Sequence, residues 1–112
     1  MIVKRKNDIP DTPVKMEGAE DVTIRVLVGQ DDGSEKIAMR CFCVRPGGHT
    51  PEHTHNFEHL VRVQKGRGQV VDPYGRAVEV AEGDSLFVPA DEKHQFRNPF
   101  KENFEFICVI PV

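Results

Sequence analysis

Imidazole is the commonest biological metal ligand and suits the divalent ions of the first transition row. The chain carries five histidines: His49, His53, His55 and His59 in one stretch, and His94 well downstream. In an extended chain residues i and i+2 point to the same face, so His53 and His55 can present two imidazoles side by side. His59 keeps the same parity if the intervening chain stays extended or turns only locally. A fourth ligand has to come from elsewhere in the fold, and His94 is the remaining candidate. A lone His-x-His pair is a weak signal, because a histidine taken singly is usually a surface residue or a satisfied core residue. The third histidine at matched parity strengthens the metal reading. His49, beside Gly47-Gly48, reads as an exposed loop residue.

Competing catalytic patterns are missing. There is no Gly-x-Ser-x-Gly elbow and no phosphate loop, and Gly66-Arg67-Gly68 reads as a turn between strands. A serine or cysteine nucleophile paired with His94 would leave the other three histidines unused. Cys41-x-Cys43 has no second pair to complete a zinc ribbon, and the two thiols stand too close in sequence for an unstrained bridge. They read as thiols on an outer sheet face.

The elements that must position the histidines read as strands. Short alternating runs bounded by Gly, Pro and Asp recur along the chain, and no long helical periodicity survives. The runs are Val22 to Val28, Ile37 to Val44 (stopped by Pro46-Gly47-Gly48), His59 to Lys65, Gly68 to Val71, Ala77 to Val80, Ser85 to Val88, His94 to Arg97 and Phe104 to Val109. Asp72-Pro73-Tyr74-Gly75 reads as a hairpin turn. Residues 1–20 read as an irregular arm, with Pro10 and Pro13 opposing regular structure, and residues 21–112 as a single β domain.

Composition agrees. At 112 residues the chain is one domain, large enough for a core without disulfide staples. With 38% hydrophobic and 29% charged residues it is too polar for a transmembrane protein and too apolar for disorder. The formal net charge of −3 and the lack of a basic stripe argue against a nucleic-acid partner. Three cysteines, an odd number, argue against a secreted disulfide framework. The first eight residues turn polar at once and hold no apolar signal core. A cytoplasmic protein with free thiols is expected, with no membrane association.

Two motifs then resemble a known family. Gly47, His53-Thr54-His55, His59 and Gly66 match the spacing of the first cupin motif, and Gly83, Pro89, Asp91, His94 and Asn98 match the second. The chain resembles a small single-domain cupin, which implies a double-stranded β-helix, or jelly-roll, barrel with a metal inside. Asp91 takes the usual glycine position of the second motif, and aspartate tolerates a left-handed backbone better than most residues. His59 stands where most cupins carry a glutamate. The resemblance therefore implies a four-histidine site of His53, His55, His59 and His94. Glu58 is the adjacent alternative, facing the opposite way unless a bulge intervenes.

The resemblance also implies one divalent ion per chain, with manganese or iron placed first and zinc, nickel or copper left open. Inward parity from His59 takes Val61 and Val63 into the barrel and leaves Arg62 and Gln64 outside. The same argument places Phe96 with His94, and Phe106 and Cys108 on the more apolar face of the last strand, where plain core packing is the equal alternative. Either face of Ile37 to Val44 can be the interior. Family likeness favours Arg40 pointing into the pocket, against an ordinary solvated or interface charge. The expected activity is a metal-dependent, dioxygenase-like oxidoreductase acting on a small organic substrate. The alternatives are a non-redox lyase or isomerase and a non-catalytic ligand-binding barrel. A homodimer, sheet against sheet, is expected.

Overall fold

A computed structural model describes residues 1–112. Nine strands follow one another: β1 (Thr12–Pro13), β2 (Glu20–Val28), β3 (Ile37–His49), β4 (His59–Lys65), β5 (Arg67–Val71), β6 (Ala77–Ala81), β7 (Ser85–Val88), β8 (Gln95–Arg97) and β9 (Phe104–Pro111). The helical content is two short 3-10 turns at Lys6–Asp8 and Gln30–Asp32. No helix is long and apolar enough to cross a membrane. The all-β jelly-roll expectation holds.

The strands form one antiparallel sheet in the order β6-β5-β8-β3-β9-β4-β7, with β2 on the other edge of β3 and β1 outside β2. The long β3 makes the sheet curl. Its first eight residues, Ile37 to Val44, pair with β9, and its last, His49, pairs with Arg97 of β8. Curling turns one face inward, and strand alternation fills it with Val22, Val44, Val61, Val63, Phe96, Phe104, Phe106 and Cys108. Arg62 and Gln64 point to solvent, as their parity predicts. The hairpin turn after β5 is tied by Asp72, whose Oδ1 accepts from the backbone N–H groups of Tyr74 and Arg76, both at 2.9 Å.

Two segments differ from the sequence expectation. β3 does not stop at Pro46-Gly47-Gly48 but continues to His49. Gly47 takes a positive φ of 82°, and a Cβ on Gly48 would lie 2.6 Å from the Glu20 carbonyl oxygen. The two glycines permit the bend and the close approach of β2, so pairing resumes beyond them. His49 is consequently half-buried at a strand end, not exposed in a loop; its Nδ1 lies 3.5 Å from Gln95 Nε2. The arm is also less irregular than its prolines suggest. Thr12–Pro13 adds an edge strand to β2, a position where a proline without an N–H is tolerated. Val14 follows by donating to the Val22 carbonyl at 2.9 Å and packs on the core, and Lys4 ties the arm to Asp32 at 3.0 Å.

Candidate metal centre and its cavity

Residues 50–58 run as an irregular segment whose inward and outward parity nonetheless alternates. Pro51 and His59 are buried, His53, His55 and Phe57 half-buried, and Glu52, Thr54, Asn56 and Glu58 exposed. Three contacts hold this segment over the sheet. Thr50 Oγ1 accepts from the Phe96 N–H at 2.9 Å. His53 and His94 form a two-bond antiparallel bridge, N–H to carbonyl at 3.1 and 3.0 Å. The Asp91 N–H donates to the His55 carbonyl at 2.6 Å, and Asp91 adopts φ 67°, so the left-handed turn survives the loss of glycine. Together these bring His94, remote in sequence, against His53 and His55.

The side-chain nitrogens of His53, His55 and His94 lie within 4.8 Å of one another. The Nε2 atoms of His53 and His55 are 3.0 Å apart. His94 Nδ1 donates to the Glu92 carbonyl at 2.9 Å, an assignment forced because a carbonyl only accepts, which leaves the lone pair on Nε2. His59, at the start of β4, stands alongside, its ring centroid 4.9 Å from His55 and 5.1 Å from His94. Its Nδ1 is buried with no hydrogen-bond partner. Glu58 points to solvent.

Electrostatics keep these rings ready to ligate. Burial first, then the neighbouring imidazoles and the Arg40 charge, push His53 and His59 from 6.5 down to about 4. Burial, with His94 and Arg40, lowers His55 as well. Neutral imidazoles with free lone pairs are the form a metal requires. Converging nitrogens and a fixed His94 tautomer fit a divalent cation, so His53, His55 and His94 could bind a metal ion; His59, expected as a fourth ligand, borders this cluster without joining it.

The cluster opens into a cavity of about 350 Å³. Phe42, Phe96 and Phe106 line one side as a stacked series, with centroids 5.3 Å apart for Phe42–Phe106 and 4.2 Å for Phe96–Phe106. Arg40 and Cys108 also line it; Arg40 Nη2 lies 3.7 Å from Cys108 Sγ, and burial raises the Cys108 thiol above its usual range. Arg40, Phe96, Phe106 and Cys108 thus border the same space as the histidines, whereas Val61 and Val63 point inward but pack in the core away from it. Sequence reasoning missed Val14, Met16, Val22, Ile24, Thr50 and Pro51, which complete the lining. Only Thr50-Pro51 carried a signal, next to the first motif; Val14 and Met16 reach the cavity through the arm's pairing with β2. Cys41 and Cys43 face a separate polar hollow on the outside with Arg25, Arg45 and Glu105, and burial pushes Cys41 up to about 11.

A barrel of this topology with an inward histidine cluster defines a cupin, and residues 40–110 match the family model for the cupin domain. The chain belongs to the cupin family. It is similar to 1-methylthio-D-xylulose 5-phosphate methylsulfurylase of Rhodospirillum rubrum, 41% identical over 73 residues, which cover 64% of this chain and 46% of that one. The chain thus spans less than half the length of this curated relative. Among solved structures it resembles the polyketide cyclase RemF from Streptomyces resistomycificus, with TM-score 0.94 and 33% identity over 99% of this chain and 79% of that one. A cupin-2 domain protein from Rhodospirillum rubrum superposes with TM-score 0.85 at 30% identity, covering 99% and 74% of the two chains. A predicted oxalate decarboxylase from Thermotoga maritima, 23% identical over 99% of both chains, shares the fold with TM-score 0.86.

Proposed function

We propose that this cupin is a mononuclear metal enzyme acting on a small enolisable organic substrate, with His53, His55, His59 and His94 as the donor set. The observation that carries the reading is the convergence of His53, His55 and His94 nitrogens, beside the unpartnered buried nitrogen of His59, on a largely apolar cavity. A divalent ion held there would supply Lewis acidity toward a carbonyl or enolate and, were it manganese or iron, a redox centre as well. The protein supplies the rest. The Glu92 carbonyl fixes the His94 tautomer, and Phe96 and Phe106 keep water from the reacting face.

Likeness to a polyketide cyclase over nearly the whole chain supports the non-redox form of this reading, in which an enolate is stabilised for bond formation without an oxidant. The dioxygenase form, expected first from sequence, is the second reading, supported by the phenylalanine wall that would shield a reactive centre. A β-diketone that carries a further ketone within reach of its enolate carbon, so that carbon–carbon bond closure with loss of water needs no oxidant, separates them when incubated with metal-loaded protein under argon and under air, with an oxygen electrode. Turnover under argon, abolished in His53→Ala, is expected. Turnover only with oxygen uptake transfers the assignment to the oxygenase form, and no turnover in either atmosphere contradicts both.

We propose further that the protein is a homodimer. Leu60 and Phe87 stand exposed on the outer face of β4 and β7, with Ile107 and Val109 of β9 beside them. Light scattering that finds a monomer at micromolar concentration contradicts it.

A further inference from the structure

Arg40 is a cation without a counter-charge. The ion pairs of the molecule join Lys4 to Asp32, Arg25 to Asp11, Arg45 to Asp21 and Lys93 to Glu52, and none includes Arg40. Its Nε is buried and makes no hydrogen bond. Its remaining contacts are weak ones, the Cys108 sulfur at 3.7 Å and the face of Phe42, whose centroid is 5.0 Å from the guanidinium carbon. The cavity it lines contains no carboxylate. Asp31 and Asp32 border an adjoining hollow that also reaches Arg40, but Asp32 is engaged by Lys4 and by the Gly29 N–H. Guanidinium groups held inside proteins are ordinarily paired with carboxylate or phosphate.

The missing partner fits a ligand. We infer that the cavity binds a flat, largely apolar organic acid or enolate whose negative group is held by Arg40 while its carbon skeleton lies against Phe42, Phe96 and Phe106. The volume supports the class, since about 350 Å³ lies in the range of pockets that enclose whole organic ligands and far exceeds what a two-carbon acid fills. Arg40 and the histidines border the same space, so such a substrate can present an acid group to one and a carbonyl to the other. This inference rests on the proposed metal enzyme reading for its chemistry but not for its binding.

The test uses naphthoate, its neutral isostere naphthamide, and acetate, titrated calorimetrically into the full chain with and without metal. A metal ion itself takes carboxylates, so the metal-free protein isolates the contribution of Arg40. There naphthoate is expected to bind at least about tenfold more tightly than naphthamide, as a charge-assisted pair should, with acetate far weaker than either. The preference should vanish in Arg40→Met, which keeps a long side chain over Phe42, and persist in reduced form in Arg40→Lys. Equal binding of naphthoate and naphthamide by the metal-free wild type overturns the inference, as does a preference that survives in folded Arg40→Met. Should Arg40→Met fail to fold, the wild-type comparison decides alone. Elemental analysis of the same samples separates the two proposals. Naphthoate preference without metal uptake defeats only the enzyme reading, and metal uptake without the preference defeats only this one.

Discussion

The two ends of the barrel interior treat their buried polar groups in opposite ways. At the packed end, where Val44 of β3 pairs with Phe104 of β9, Asn98 is 1% exposed and fully partnered. Its Nδ2 donates to the carbonyls of Val44 and Glu102 at 2.9 and 2.7 Å, and its Oδ1 accepts from the Phe100 N–H at 2.9 Å. Gly68 lies directly under the Phe104 ring, so that no side chain fits between them. At the cavity end, His59 is 4% exposed, yet its Nδ1 is orphaned, and so is Arg40 Nε. Burying such groups unpaired is costly, so they are usually satisfied. A chain that satisfies Asn98 completely and leaves His59 and Arg40 open devotes one end to stability and the other to ligands.

Substitutions break this comparison in graded fashion. The largest loss of stability is expected at the packed end: Phe104→Ala should cost about 3–5 kcal/mol in urea unfolding while leaving metal stoichiometry intact in the folded fraction. A loss of metal with unchanged stability would reverse the assignment of the two ends. At the cavity end His94→Ala should do the opposite, weakening metal affinity by more than about tenfold, the least that loss of even an indirect metal contact costs, with little change in metal-free stability. Competition with a chromogenic chelator measures it.

Acid should expose the same asymmetry. His53 and His59 titrate near 4 when folded and near 6.5 when unfolded, so between those values the unfolded chain binds more protons. Metal-free stability is therefore full above about 6.5 and falls as the pH drops toward about 4, and the double variant His53→Gln/His59→Gln should flatten that fall. A wild-type urea midpoint unchanged across this interval contradicts the described environment. The smallest effect belongs outside the barrel: Cys41→Ser, on the outer face, should change stability by less than about 1 kcal/mol and leave metal binding alone, as thermal melts with and without metal would show.

Legibility followed locality. Parity separated His59 from Glu58, and Val61 from Arg62, because a strand's alternation is written in neighbouring residues. The approach of His94 to His53 rests on a bridge between segments some forty residues apart; elimination left His94 as a candidate, and only the motif resemblance gave it a place. Gly47-Gly48 reads locally as a stop, yet the close approach of Glu20 lets the pairing resume. The reach of Val14 and Met16 to the cavity depends on a two-residue edge strand containing a proline, a pairing with no local signal.

In the proposed centre four imidazoles hold one divalent ion. Metal titration followed by X-ray absorption on wild type, His59→Ala and Glu58→Ala tests it most directly. About one ion per chain in an imidazole-rich shell is expected, weakened in His59→Ala and unaltered in Glu58→Ala. No uptake by the wild type, or a site stripped by Glu58→Ala and untouched by His59→Ala, would contradict it.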